Sequence, residues 1–248
     1  MDEKQFYCAC EKIINEERER QGIGTLQEKT IHAVLKHYCE PNVDLHEIRQ
    51  NGFVADIVQS DQILEIQTRG FDRLRKKLEA FLKVKPVTIV YPIPYVKWIS
   101  WIDCETAEIS KRRKSPKKGS IYDIVPELYK IKMFLPNENL SFRLILINME
   151  ETRLLNGWSY DKKRGSHRHD RIPLEIVDEV YFTNSNEFSR FIPDQLNDPF
   201  TTDDFHKAAK ISIDRARTTV HILAYLNIIK KVGNQGKFIV YERNDKDE

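Results

Sequence analysis

The stretch GFVADIVQSDQILEIQTRG, Gly52 to Gly70, holds two strand-like runs, each with an acid set among apolar residues. Asp56 lies between Ala55 and Ile57, and Glu65 between Leu64 and Ile66. Side chains alternate along a strand, so Glu65 and Gln67 share one face while Leu64 and Ile66 share the other. A short turn at QSDQ pairs the two runs, and Asp56 and Glu65 then converge at one end of the pair. Burying a carboxylate without a partner is costly. Two close carboxylates repel each other unless a cation neutralises them. Hard oxygen ligands suit Mg²⁺ or Mn²⁺. A metal so held can polarise a phosphate and acidify a bound water, which is what phosphodiester hydrolysis needs. The plain alternative is a pair of solvated acids on edge strands with ordinary alternation.

Outward from this stretch, KQFYCACEKIINEERERQG predicts an amphipathic helix ending near Gly22. TLQEKTIHAVLKHYCEP predicts a second, from a Thr25 cap to the stop before Pro41, with Glu28 in its first turn. VDLHEIRQNGFVADIV reads as a hairpin turning at Gln50, Asn51 and Gly52. QILEIQT is the next strand, FDRLRKKLEAFLKV a helix and PVTIVYPI a further strand. The passage from Ile63 to Ile93 is therefore a strand–helix–strand crossover, so part of the sheet is expected to be parallel. YVKWISWIDCETAEISKRR reads as another hairpin, IYDIVPELYKIKMFL as a helix that Pro126 splits or starts, and SFRLILINMEETRLL as a strand. NGWSYDKKRGSHRHDRIP reads as an exposed basic loop, and period does not decide between strand and helix for LEIVDEVYF.

Asp56 followed by Glu65-Ile66-Gln67 on a strand pair, after a helix bearing Glu28, resembles the PD-(D/E)XK nuclease superfamily. That superfamily has a mixed sheet flanked by helices, in the order helix, three strands, helix, strand, which matches the order read from Thr25 to Ile93. The resemblance covers roughly residues 20 to 95 well and the chain to about 197 loosely. It implies an α/β, restriction-endonuclease-like fold and metal-dependent hydrolysis of DNA. It also implies catalytic roles for Glu28, Asp56, Glu65 and Gln67, with Asp56, Glu65 and Glu28 holding Mg²⁺ (or Mn²⁺). Gln67 occupies the position usually held by a lysine that orients the attacking water. Glutamine donates and accepts hydrogen bonds but brings no charge. Arg69, in phase if the strand continues, and Lys76 or Lys77 on the next helix are candidates to replace it. His46-Glu47, on the strand facing Asp56, is a candidate outer contact; His32 and His37 read as ordinary helix-surface histidines, and SHRHDR as part of a basic loop.

Basic residues come in clusters. KRRKSPKK holds Lys111, Arg112, Arg113, Lys114, Lys117 and Lys118 without an acid, as a phosphate-neutralising run or a solubilising loop would. The chain changes character at about Asp198. The tail reads helix, turn, helix and hairpin, the pattern of a winged helix-turn-helix, with Thr201 or Thr202 and then Ser212 or Asp214 opening the helices. Arg215, Arg217 and Thr218 fall on the presumed recognition helix and Lys237 near the wing, while Ala216, Val220, Leu223 and Leu226 read as its buried face. The expected organisation is a nuclease-like domain over residues 1–197 and a winged helix-turn-helix over 198–248.

The 248 residues carry a net charge of only +2, are 40% hydrophobic and 31% charged, and so suit a globular protein with a real core. The four cysteines form no CxxC array, and CAC at Cys8–Cys10 reads as small hydrophobes on a helix. No signal-like apolar core opens the chain and no apolar run nears the ~20 residues a bilayer needs, so a cytoplasmic location and no membrane partner are expected. The leading function is a metal-dependent DNA endonuclease targeted by a winged helix. Double-strand cutting would call for a homodimer. The alternatives are a catalytically inactive nuclease-fold DNA-binding or regulatory protein, and a protein-interaction module.

Overall fold

The computed structural model describes residues 2–20, 30–156 and 165–244. Two helices open it, α1 (Glu3–Arg20) and α2 (Thr30–Cys39). Strands β1 (His46–Gln50), β2 (Phe53–Val58) and β3 (Ile63–Ile66) follow, then a 3₁₀ turn and α3 (Arg75–Phe81). Next come β4 (Val87–Asp103), the short β5 (Arg113–Lys114), α4 (Val125–Lys130), β6 (Leu140–Leu155) and β7 (His167–Phe182). The chain closes with β8 (Phe200–Thr201), α5 (Thr202–Ala209), α6 (Ile213–Tyr225), β9 (Ile229–Gln235) and β10 (Phe238–Arg243).

The architecture is mixed α/β. A seven-stranded sheet runs β1-β2-β3-β4-β6-β7, with β5 beside the far half of β4. β1, β2 and β3 pair antiparallel, whereas β3, β4 and β6 are parallel, as the crossover through α3 requires. Alternation sorts the core into two layers. Leu64, Ile66, Val90, Ile145, Ile147 and Met149 pack with Ile31, Val34 and Leu35 of α2 and Phe6 of α1. Ile63, Val87, Ile89, Ile93, Phe142 and Leu144 face the opposite way, onto Leu78 and Phe81 of α3 and Leu128 of α4. Strands covered on both sides read as nearly unbroken apolar runs, which is why VTIVY and LILI look as they do.

The hairpin between β1 and β2 turns at Asn51 and Gly52, both with positive φ (47° and 83°), a conformation Asn and Gly accept at little cost. Two expectations are revised. PVTIVYPI and the first arm of the following hairpin are one strand, β4, running through Pro92 and Pro94. The ladder shifts register between Pro94 and Lys97, where Val96 N donates to Asn148 Oδ1 at 3.2 Å. The residues of SHRHDRIP expected in an exposed loop belong to β7 from His167 onward, and LEIVDEVYF continues the same strand. Residues 157–164 of that stretch lie outside the described residues.

The C-terminal elements form a second, three-stranded sheet, β8-β10-β9, with α5 and α6 beside it. Thr201 caps α5 in a reciprocal box with Asp204, and Ser212 caps α6 through Arg215 N. Ala216, Val220 and Leu223 of α6 are buried in the same hydrophobic cluster as Ile124, Val125 and Leu128, so this unit shares the core beneath the large sheet. Among the described residues, no helix is long and apolar enough to cross a membrane.

Candidate functional site

β2 and β3 pair only at Ile57–Leu64 and Val58–Ile63 and then separate. Beyond that point the two acids take over from the ladder. Asp56 N donates to Glu65 Oε1 at 3.2 Å, and Ile66 N donates to Asp56 Oδ2 at 2.7 Å. Each carboxylate thus caps a main-chain N–H at the split between the strands, so the acids answer a backbone need as well as a chemical one. Glu65 is fully buried (0%), and Lys77 of α3 places Nζ 2.6 Å from its Oε2. His32 of α2 places Nε2 3.3 Å from Asp56 Oδ2.

The two carboxyls sit in opposite electrostatic states. Burial, followed by the negative charge of Asp56, pushes Glu65 up to about 7, against the pull of Lys77. Burial works to raise Asp56 as well, but the hydrogen bond and charge of His32, the Ile66 N–H and Lys77 outweigh it and hold Asp56 below the usual carboxylate range. A pair of close carboxyls with separated affinities for protons can keep one proton between them or share a cation.

The other expected residues are placed as follows. Gln67 follows β3, half-buried, with its N–H donated to Val90 O at 2.9 Å. Arg69 is exposed and lies in a bend past the end of β3 at Ile66, so it does not continue the strand phase of Glu65. Of the two lysines on α3, Lys77 is the one that reaches the pair. Glu28 lies outside the described residues. His46 and Glu47 do not join the acids: His46 Nε2 is 2.8 Å from Glu40 O, and Glu47 pairs with Lys36 at 2.7 Å. Among the described residues no group of three or more His, Cys, Asp or Glu side chains is arranged to hold a metal ion.

The basic run lies along the edge of β4. Arg113 and Lys114 form β5 opposite Ile99 and Trp98, and Lys111, Arg112, Lys117 and Lys118 are exposed around it. Arg112 and Lys114 each stand 5.9 Å from the Trp98 ring, and Lys118 Nζ is 4.3 Å from the Tyr95 ring. Arg112 pairs with Glu150, and Lys117 is 3.8 Å from Asp123. On α6, Arg215 is tied to Asp123, Arg217 pairs with Asp214 at 2.9 Å and Thr218 Oγ1 donates to Asp214 O. Lys237 is exposed, 5.4 Å from the Phe238 ring.

Beyond the end of β3, strands β4, β6 and β7 continue together and hold a constellation that the sequence reading passed over. Glu151 of β6 is fully buried (0%). Its Oε1 accepts from Arg153 at 2.7 Å; its Oε2 accepts from Lys97 at 3.0 Å and Arg171 at 3.1 Å and stands 3.4 Å from Arg168 Nε. Burial alone would raise Glu151, but Arg171, Lys97 and Arg168 hold it down at about 2. Arg168 is lowered to about 10, first by burial and then by Arg171, with Arg69 among its other repelling neighbours. No expectation from the sequence named these residues; the pairing of three strands brings them together.

Comparison with known proteins gives a family but no activity. A protein of Treponema pallidum (strain Nichols), described as "Uncharacterized protein", is 28% identical over 218 residues, covering 85% of this chain and 81% of its own. No solved structure matches the chain significantly. The profile of the family described as "Domain of unknown function (DUF8091)" matches residues 29–183, from the start of α2 to the end of β7, and the chain belongs to that family.

Proposed function

We propose that the protein is a metal-dependent DNA endonuclease with a restriction-endonuclease-like core and a C-terminal winged helix-turn-helix that grips duplex DNA. The observation that carries this reading is the meeting of Asp56 and Glu65 at the split between β2 and β3, with Lys77 Nζ 2.6 Å from Glu65. The order β8, α5, α6, β9, β10, with β10 between β8 and β9, supports the winged-helix part.

The pair supplies part of the oxygen set that a hard divalent cation takes. Asp56 and Glu65 offer carboxylate oxygens of the hard kind such a cation takes, one of which Lys77 already holds. Mg²⁺ or Mn²⁺ held there would polarise a phosphate oxygen and acidify a water. The chain's own residues then divide the remaining work. Lys77 brings the positive charge that Gln67 does not, from a helix instead of the strand. Gln67, half-buried just past Glu65, can hold a water through its amide. His32 fixes the Asp56 carboxylate, and the exposed cations around β5 take the DNA backbone.

A second reading, a nuclease-fold DNA-binding protein without catalysis, is favoured by one observation: Lys77 already occupies Glu65 Oε2. One experiment separates the two. Supercoiled plasmid is incubated with Mg²⁺ or Mn²⁺ and wild-type, Asp56→Ala, Glu65→Ala or Lys77→Met protein, with DNA binding followed in parallel. Nicking by the wild type that all three substitutions abolish supports the enzyme. DNA binding without nicking on any form of DNA establishes the second reading, and salt-insensitive or absent binding refutes both.

A further inference from the structure

The Glu151 constellation sets one negative charge against four positive ones. Among the described residues, Glu151 is the sole carboxylate with which Lys97, Arg153, Arg168 or Arg171 pairs. A clamp between strands would be complete with one or two cations; each further one adds repulsion in a half-buried place, where charges are poorly screened. The surplus is fixed in position. The four heads come from three paired strands, at 12–34% side-chain exposure, and converge within 2.7–3.4 Å of one carboxylate. Arg168 and Arg171 each engage Glu151 through Nε, which leaves their terminal N–H groups for another acceptor.

The form of the surplus indicates the ligand. A strand of phosphodiesters carries single charges at regular intervals and is matched by cations spread along a track, as on β5. Here the cations are focused on one point, and the surplus of three positive charges suits one compact group with more than one negative charge. Guanidinium pairs match tetrahedral phosphate oxygens in a way lysine alone does not. We propose that Lys97, Arg153, Arg168 and Arg171 form a binding site for a dianionic phosphate group, the phosphomonoester of a nucleic-acid strand end or a free phosphate. The site needs neither a metal nor the Asp56–Glu65 pair, so it stands apart from the activity proposed above.

The test uses the full chain in EDTA. Fluorescently labelled single strands of one sequence, bearing a 5′-phosphate, a 3′-phosphate or hydroxyl ends only, are compared by anisotropy at pH 7.5, and inorganic phosphate is titrated by calorimetry. A strand-end site gives at least about tenfold tighter binding of one phosphorylated strand than of the hydroxyl strand. That preference is erased by Arg168→Ala and by millimolar phosphate, and it shrinks at pH 5, where a phosphomonoester takes back its second proton. A free-phosphate site gives calorimetric binding of inorganic phosphate, lost in Arg168→Ala, with no preference among the strands. Lys97→Met must weaken the same signal, and thermal melts of both variants report that they are folded. Equal binding of all strands with no phosphate signal, or a signal that Arg168→Ala and Lys97→Met leave unchanged, overturns the proposal. Asp56→Ala retains the preference, so loss of the endonuclease reading leaves this outcome intact.

Discussion

Replacing Glu151 with glutamine keeps its shape and removes its charge, leaving Lys97, Arg153, Arg168 and Arg171 without a counter-ion. The structure sets the size of the effect. Glu151 is fully buried, and its carboxyl stands at about 2 against an ordinary 4.5. At about 1.4 kcal/mol per pH unit, that gap makes the ionised form worth roughly 3 kcal/mol of folding free energy at pH 7. Because the folded-state value is depressed, the contribution is complete above about 4.5 and is lost as pH falls toward about 2. Chemical denaturation of wild type and Glu151→Gln at pH 7 is expected to show a gap of about 3 kcal/mol, narrowing to about 1.4 kcal/mol at pH 3. A gap under about 1 kcal/mol at pH 7, or one of equal size at both pH values, would refute the view that the cations stabilise this carboxylate.

Three further outcomes follow from particular contacts. Gly119→Ala should cost about 1–3 kcal/mol in a denaturant titration, because a Cβ there would lie 2.2 Å from Pro94 O, a backbone atom that cannot step aside; a loss under about 0.5 kcal/mol would mean the basic segment is not pinned to β4 at this point. Thr201→Ala removes the α5 cap, whose hydroxyl accepts from Asp204 N, and should cost about 1 kcal/mol by the same measurement, with Asp204 rising from its lowered value toward the ordinary range by NMR titration. Iodoacetamide at pH 8 should modify the exposed Cys8 and Cys104 at least about tenfold faster than Cys10 and Cys39, whose thiols burial pushes up to about 12 and about 11; equal rates by peptide mapping would contradict the packing of α1 and α2 on the sheet.

What could be read from the sequence was local. Alternation in Ile63–Ile66 showed which side of β3 Glu65 occupies, and the apolar run through Val87–Ile93 read as a further strand, which the structure covers on both faces. The spacing of Ala216, Val220 and Leu223 gave the buried side of α6, and all three are buried. The convergence of Asp56 and Glu65 was legible because one short turn joins their strands. The choice of Lys77 over Lys76 was not, since it depends on how α3 is rotated above β3. His32 was passed over for a related reason: helix phase tells which residues share a face, not which strand end that face meets. The Glu151 constellation draws on residues 97, 151, 153, 168 and 171 of three strands. Its register passes through irregularities after Pro94 and Thr152 that no alternation rule locates. β4 itself looked like two elements because prolines usually end strands, and where its register shifts Asn148 accepts the Val96 N–H.

The seating of α6 has a mechanical meaning. Its inner face is embedded with Ile124, Val125 and Leu128, and Arg215 is latched to Asp123 just ahead of α4. A unit held in this way does not swing on its tether. The outward side of α6 is thereby kept at a set offset from Asp56 and Glu65, as between the jaws of a fixed-gap calliper, and the span is written in the packing of two helices. Lengthening the connection between β7 and β8 would therefore leave the gap unchanged, whereas wedging a larger side chain in place of Ala216, fully buried at 0%, would reset it.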